Sequence, residues 1–208
     1  MRFLVPVIVG ISALGALGIA YMVYKTGPFV QSYWVPSSSM RPTLMIGDVF
    51  FVAREYYAWH TPVAGDVVMF YVPDADYIMI KRVVAGPGDR VKLEHGRLYL
   101  NGLLVDRKPA DIAPAPETGD EAWQRYVETL PNGRSYTILE QSDEGWLDTF
   151  PEMVVPAGEY FMLGDNRDVS RDSRSADLGT VPLYMIANRP SFIYMSRDIR
   201  RIGLDIQP

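Results

Sequence analysis

Three stretches of this chain hold residues whose types and spacing could do chemistry. In Pro-Ser-Ser-Ser-Met-Arg-Pro-Thr-Leu, residues 36–44, Ser39 sits in a rigid turn between Pro36 and Pro42. In Tyr-Ile-Met-Ile-Lys-Arg-Val-Val, residues 77–84, Lys81 interrupts an otherwise apolar strand pattern. A hydroxyl and a desolvated amine are the two parts of a serine–lysine hydrolytic dyad, in which burial lowers the lysine pKa until the neutral amine can act as base. The third stretch is Gly164–Arg174, six of whose eleven residues carry alternating charges. Paired Asp and Arg there can form a bidentate network that rigidifies a site, and a hydroxyl from Ser170 or Ser173 could orient the amine. Each stretch also has a bland reading. Ser37–Ser39 suits a polar linker, Lys81 suits an aggregation-blocking edge lysine, and residues 164–174 suit a solvated loop.

Composition narrows the chemistry. The 208 residues contain no cysteine, which excludes a thiol nucleophile and thiolate zinc sites. The two histidines, His60 and His95, fall outside any metal-ligand spacing and read as surface or turn residues, so a Ser-His-Asp triad and a zinc hydrolase are both disfavoured. Net charge is −5 with no clustered basic face, against nucleic acid as the main partner. Four lysines stand against sixteen arginines. Arginine does not lose its proton in a protein, so a lysine inside an apolar strand reads as a choice made for titration.

The elements that must position these residues read as follows. Phe3–Tyr24 is 22 residues without a charge, long enough at about 1.5 Å per residue to span a bilayer core of about 30 Å. It reads as an uncleaved anchor, with a cleaved leader as the alternative. After Thr26-Gly27-Pro28 the pattern is β. Apolar runs at 48–53, 66–72, 77–84, 90–93, 97–100, 126–130, 136–139, 160–163 and 191–195 are punctuated by Gly, Pro, Asp and Asn. Hairpin turns are marked at Glu94-His95-Gly96 and Pro131-Asn132-Gly133. The proline-rich, acidic stretch from residue 106 reads as the entrance to an inserted lobe running to about residue 152.

Ser-Met-Arg-Pro-Thr-Leu, Gly65-Asp66-Val67-Val68, Lys81 through Asp89, Gly164 through Asp168 and Asp172-Ser173-Arg174 resemble, in order and spacing, the sequence blocks of bacterial type I signal peptidases. Thr129–Gly133 and Arg201-Ile202-Gly203 resemble segments of the longer Gram-negative members. The resemblance implies a mostly β catalytic domain of barrel or sandwich type with an inserted lobe, preceded by one transmembrane helix. The implied divisions are 1–25 anchor, 26–105 with 153–208 catalytic core, and 106–152 inserted lobe. It implies Ser39 as nucleophile, Lys81 as general base, Ser37 as a side-chain oxyanion donor beside the Ser39 amide, Ser170 as orienter of the Lys81 amine, and Asp172 and Arg174 as braces. No metal or organic cofactor is required. The implied activity is removal of signal peptides from exported preproteins after small residues, with Ile78, Ile80 and Val83 lining the small pockets. The implied location is the bacterial inner membrane, single-pass, with the catalytic domain on the periplasmic or extracytoplasmic side and Trp34, Tyr56, Tyr57 and Trp59 resting in the lipid interface. The chain departs from the pattern at Val169, Arg171 and Ala187-Asn188-Arg189. Rival readings are a peptidase maturing a conjugation or pilus subunit, a self-cleaving repressor, which would need a DNA-binding domain in place of the apolar segment, and an inactive anchored binding module.

Overall fold

The structure, a computed structural model, describes residues 30–72, 77–113 and 123–208. The expected anchor over residues 1–25 and the middle of the proline-rich stretch lie outside the described residues. In chain order the strands are β1 (Val30–Trp34), β2 (Val49–Ala53), β3 (Val67–Tyr71), β4 (Ile78–Ala85), β5 (Arg90–Glu94), β6 (Arg97–Leu100) and β7 (Leu103–Leu104). They continue with β8 (Asp106–Ala113), β9 (Trp123–Thr129), β10 (Ser135–Glu140), β11 (Phe150–Val154), β12 (Glu159–Leu163), β13 (Val181–Pro182) and β14 (Ile186–Met195). One turn of helix, α1 (Tyr56–Trp59), follows β2.

Among the described residues these strands form three antiparallel sheets. Seven strands run in the order β1-β2-β14-β3-β4-β12-β13, four in the order β11-β5-β6-β7, and three in the order β10-β9-β8. The expectation of a mostly β domain holds, but the expected barrel does not close. The seven-stranded sheet ends on β1 and β13, which do not pair with each other. Register breaks along β14, around Pro190 and before Ile193 and Met195, bend that sheet instead.

The turns are where the residues demand them. Between β5 and β6, His95 and Gly96 have φ of 48° and 67°, the left-handed pair of a two-residue hairpin. After β4, the Asp89 carboxylate accepts from the Gly86 amide at 2.9 Å and closes the Gly-Pro-Gly-Asp turn. The largest apolar cluster joins the sheets: Val84 and Ala85 of β4, Leu93 of β5, Leu98 of β6, Ile138 of β10, and Phe161 and Leu163 of β12 pack together. A second cluster holds Met40 and Leu44 against Phe50, Val52, Val67, Met69 and Ile193. The turn carrying Ser39 is therefore pegged into the core on its C-terminal side. Val83, expected to line a pocket, is fully buried in a third cluster with Val68, Phe70 and Met162. Tyr57, expected at the surface, is only 6% exposed, and its hydroxyl donates to Asp66 at 3.2 Å.

Candidate active site

Lys81 lies at the centre of β4, paired with Val68 of β3. Its side chain is 2% exposed. The amine donates to Ser39 Oγ at 2.9 Å and to the Ile80 carbonyl at 3.0 Å. Burial pushes the Lys81 pKa down from 10.5 to about 8, against the pull of Asp172 and Asp165 and with help from Arg174 and Arg171. A substantial fraction of the amine is thus neutral near physiological pH, and it lies within proton-transfer distance of a hydroxyl. The Ser37 and Ser39 hydroxyls are 3.3 Å apart.

The turn that presents Ser39 is held from three sides. Asn166 donates its backbone amide to the Ser39 carbonyl at 3.1 Å and its side-chain amide to the Ser38 carbonyl at 3.2 Å. Arg201 donates to the carbonyls of Pro42 and Thr43 at 3.2 and 2.9 Å, and its guanidinium pairs with buried Asp48. Arg82, next to the lysine but on the opposite face of β4, forks onto Asp165 with two contacts of 2.7 Å. The Thr43 hydroxyl donates to the same carboxylate, and the Arg82 guanidinium lies 4.2 Å over the Tyr136 ring. This group ties the serine turn, β4 and the loop after β12 into one unit.

Gly164, directly after β12, shows how closely these parts approach. A Cβ there would stand 2.6 Å from the Ser39 carbonyl oxygen and would collide with the Ser170 side chain. Its amide donates to Asp172 at 3.0 Å. Arg174 grips that carboxylate in a fork of two 2.9 Å contacts and also donates to the Arg167 carbonyl at 2.6 Å. Burial pushes the Asp172 carboxyl up, but the Arg174 charge and hydrogen bonds outweigh it and the net shift is downward. The Ser170 hydroxyl is buried against Asp172 and helps keep it ionised, yet it makes no well-directed hydrogen bond, to Lys81 or to any other described group. Ser173, the other hydroxyl considered for the lysine, accepts from the Met162 amide at 2.9 Å instead.

A cleft of about 460 Å³ opens beside the serine and lysine, with Val35, Leu44, Ile78, Ile80 and Val169 among its walls. Among the described residues, β4 on this stretch has β3 along one edge only, because β12 pairs with it no further than Arg82. His60 stacks on the Tyr56 ring, centroids 4.0 Å apart, and His95 occupies the β5–β6 turn. Asn166, Arg82 and Arg201 are not singled out in the sequence as positioning residues, and Asp165 reads only as one charge of the Gly164–Arg174 network. The visible signal for Arg82 was a second charge in an apolar strand with no local counter-ion.

A family model described as signal peptidase, peptidase S26, matches residues 7–195. The chain is similar to the signal peptidase I of Rickettsia bellii strain OSU 85-389, 32% identical over 207 residues, covering 85% of this chain and 70% of the relative. It is 30% identical to the signal peptidase I of Rickettsia akari strain Hartford, covering 85% and 76%. A crystal structure of a signal peptidase I from Enterococcus faecalis V583 matches with 25% identity, 61% of this chain and 94% of that chain, at a TM-score of 0.37.

Proposed function

The chain belongs to the signal peptidase family, peptidase S26, and from that premise we propose how its residues carry out the reaction. It is a serine endopeptidase that removes signal peptides from preproteins. In our reading Ser39 is the nucleophile and Lys81 the general base. The neutral Lys81 amine takes the Ser39 proton as Oγ adds to the scissile carbonyl. The developing oxyanion is held by the Ser39 amide and the Ser37 hydroxyl. The Lys81 ammonium returns its proton to the leaving amine. The neutral amine then takes a proton from water, whose hydroxide attacks the acyl-enzyme and regenerates Ser39. Asp172 and Arg174 brace the loop behind the lysine. Ser170 keeps that loop close to the serine turn through its packing on Gly164.

The observation that carries this reading is the 2.9 Å contact between the Lys81 amine and Ser39 Oγ, made by a lysine whose burial brings its pKa to about 8. The open edge of β4 beside the cleft supports binding of an extended peptide by strand addition. The aliphatic walls of Ile78 and Ile80 support a preference for small side chains before the cut bond. We further read residues 1–25 as a single-pass anchor in the bacterial inner membrane, with the catalytic part on the extracytoplasmic side. The span rests on the length of the uncharged stretch Phe3–Tyr24, and the membrane and side rest on the family's signal-peptide substrates. Among the described residues no helix is long and apolar enough to cross a membrane. Exposed Trp34 and Trp59 support contact with lipid headgroups. We read residues 106–152 as an insert into a core formed by 26–105 and 153–208, which the separate sheet of β8, β9 and β10 supports. The test is Ser39→Ala, assayed on a preprotein in detergent. Processing should vanish while the fold persists, and normal turnover would remove Ser39 from the mechanism.

A further inference from the structure

Three carboxylates converge on the outer side of the loop that leads to Ser170. Glu140 ends β10, Asp148 closes the following loop, and Asp168 lies in the short 3-10 turn Arg167–Val169. One oxygen from each lies within 4.8 Å of the others. Oxygens bound to one hard cation at about 2.3–2.6 Å stand about 3.3–5.2 Å apart, so this spacing suits a shared ion.

A group of acids alone is commonplace, but two features here point to a ligand. Glu140 and Asp148 are only 2% and 1% exposed. Each keeps one oxygen, Glu140 Oε1 and Asp148 Oδ1, with no hydrogen-bond partner among the described groups. Leaving a buried acceptor unmet is costly, and native proteins rarely do it without reason. The companion oxygens are engaged, which fixes how the carboxylates lie. Asp148 Oδ2 accepts from the Gly145 amide and Asp168 Oδ2 from the Gln141 amide, both at 2.5 Å.

The nearby cations act on Glu140 through their charge but spend their short hydrogen bonds on other carboxylates. Arg107 reaches Glu140 Oε2 at 3.4 Å but forks onto Asp143 at 2.9 and 3.0 Å. Arg167 forks onto Glu128 and Arg174 onto Asp172. Gly145 lets the loop close over the group, since a Cβ there would stand 3.0 Å from Asp148 Oδ2 and 3.1 Å from Asp168 Oδ1. Asp168 is half-buried, which gives an ion a route in and room for water ligands.

We propose that Glu140, Asp148 and Asp168 form a binding site for a hard divalent cation of the calcium class. An all-oxygen donor set without imidazole or thiolate selects such an ion over zinc or copper. The ion takes no part in peptide hydrolysis. It ties the end of β10 and the loop over residues 141–148 to the turn that follows Asn166, and so braces the residue that holds the serine turn. The competing occupant is a proton. Without a cation, burial first, then Asp168 and Asp148 against Arg167 and Arg107, pushes the Glu140 carboxyl up to about 9.

The test uses the full chain in nonionic detergent, stripped with chelator and titrated with Tb³⁺, a luminescent stand-in for Ca²⁺. Trp146, two residues from Asp148, serves as the sensitiser. The expected result is saturable emission at one ion per chain that Ca²⁺ displaces. Ca²⁺ at ten times its Kd should raise Tm by about 3–6 °C. Glu140→Gln and, separately, Asp168→Asn should each weaken binding at least about tenfold and abolish the Tm shift. Asp168→Asn keeps an acceptor for the Gln141 amide, which guards against a misfolded control. Emission no greater than in both variants, or a wild-type Tm indifferent to Ca²⁺, would overturn the site and leave the proton as occupant.

Discussion

The Lys81 amine is buried with Ser39 Oγ and the Ile80 carbonyl as its acceptors, and no carboxylate among the described residues is in hydrogen-bond contact with it. Its pKa is about 8 in the fold against 10.5 ordinarily. Between those values the unfolded chain binds more protons than the folded one, so stability rises with pH across that window. The penalty is present in full below pH 8, is relieved as pH approaches 10.5, and amounts to about 3 kcal/mol at neutrality. Lys81→Met, similar in shape but without charge, should therefore be inactive and yet more stable than wild type at pH 7, by up to about 3 kcal/mol in urea unfolding. A variant less stable than wild type would show that the amine is a net stabilising group. Ser39 and Lys81 stood out as candidates from residue types, a hydroxyl between prolines and an amine in an apolar strand, but each also suited a bland reading, and their proposed roles came from the family resemblance. Asn166 did not stand out. The carbonyls it holds lie at Ser38 and Ser39, 128 positions away for its side-chain contact, and no local pattern encodes that distance.

Among the elements, the serine turn is held by its own Met40 and Leu44, sunk in the core, and by partners far along the chain: Arg201 near the C-terminus, and Asn166 and Gly164 in the loop after β12. Gly164 is the tightest of these contacts. Gly164→Ala should leave far-UV circular dichroism intact but push the Ser39 carbonyl and Ser170 apart. We expect kcat to fall about 10²-fold, the usual cost of misplacing a reacting group by an ångström. An unchanged kcat would show that the turn can shift without consequence. The strands divide in an instructive way. Nine were legible, and all of these except β10 lie inside a sheet. The five that were not, β1, β7, β8, β11 and β13, are all edge strands. An edge strand can carry proline and charge, as Pro109 does in β8 and Pro151 and Glu152 do in β11. It therefore lacks the apolar alternation that marks a strand in sequence.

For the molecule as a whole, the proposed anchor would separate delivery from chemistry. Removing residues 1–25 deletes the proposed spanning segment and none of the residues around the cleft. The fragment should fold and cut a short peptide with alanine at the first and third positions before the bond. Its efficiency on membrane-bound preprotein should fall further than on the peptide, since only that substrate gains from shared anchoring. Equal efficiency on both would refute the proximity argument. Bulky residues cut as readily as alanine would refute the pocket assignment to Ile78 and Ile80. The general β character was plain from the sequence, whereas the open seven-stranded sheet was not. Closure depends on how strands bend, and the register breaks of β14 depend on partners far apart in the chain.

The central claim is that a neutral Lys81 activates Ser39, and the pH dependence of kcat/KM on a signal-peptide substrate between pH 6 and 10 tests it most directly. The account predicts a limb rising about tenfold per pH unit that levels through an apparent pKa near 8. It also predicts no activity for Lys81→Arg at any pH, because arginine keeps its proton. A flat profile, a midpoint at about 6.5 as for an ordinary histidine, or a working Lys81→Arg enzyme would contradict it.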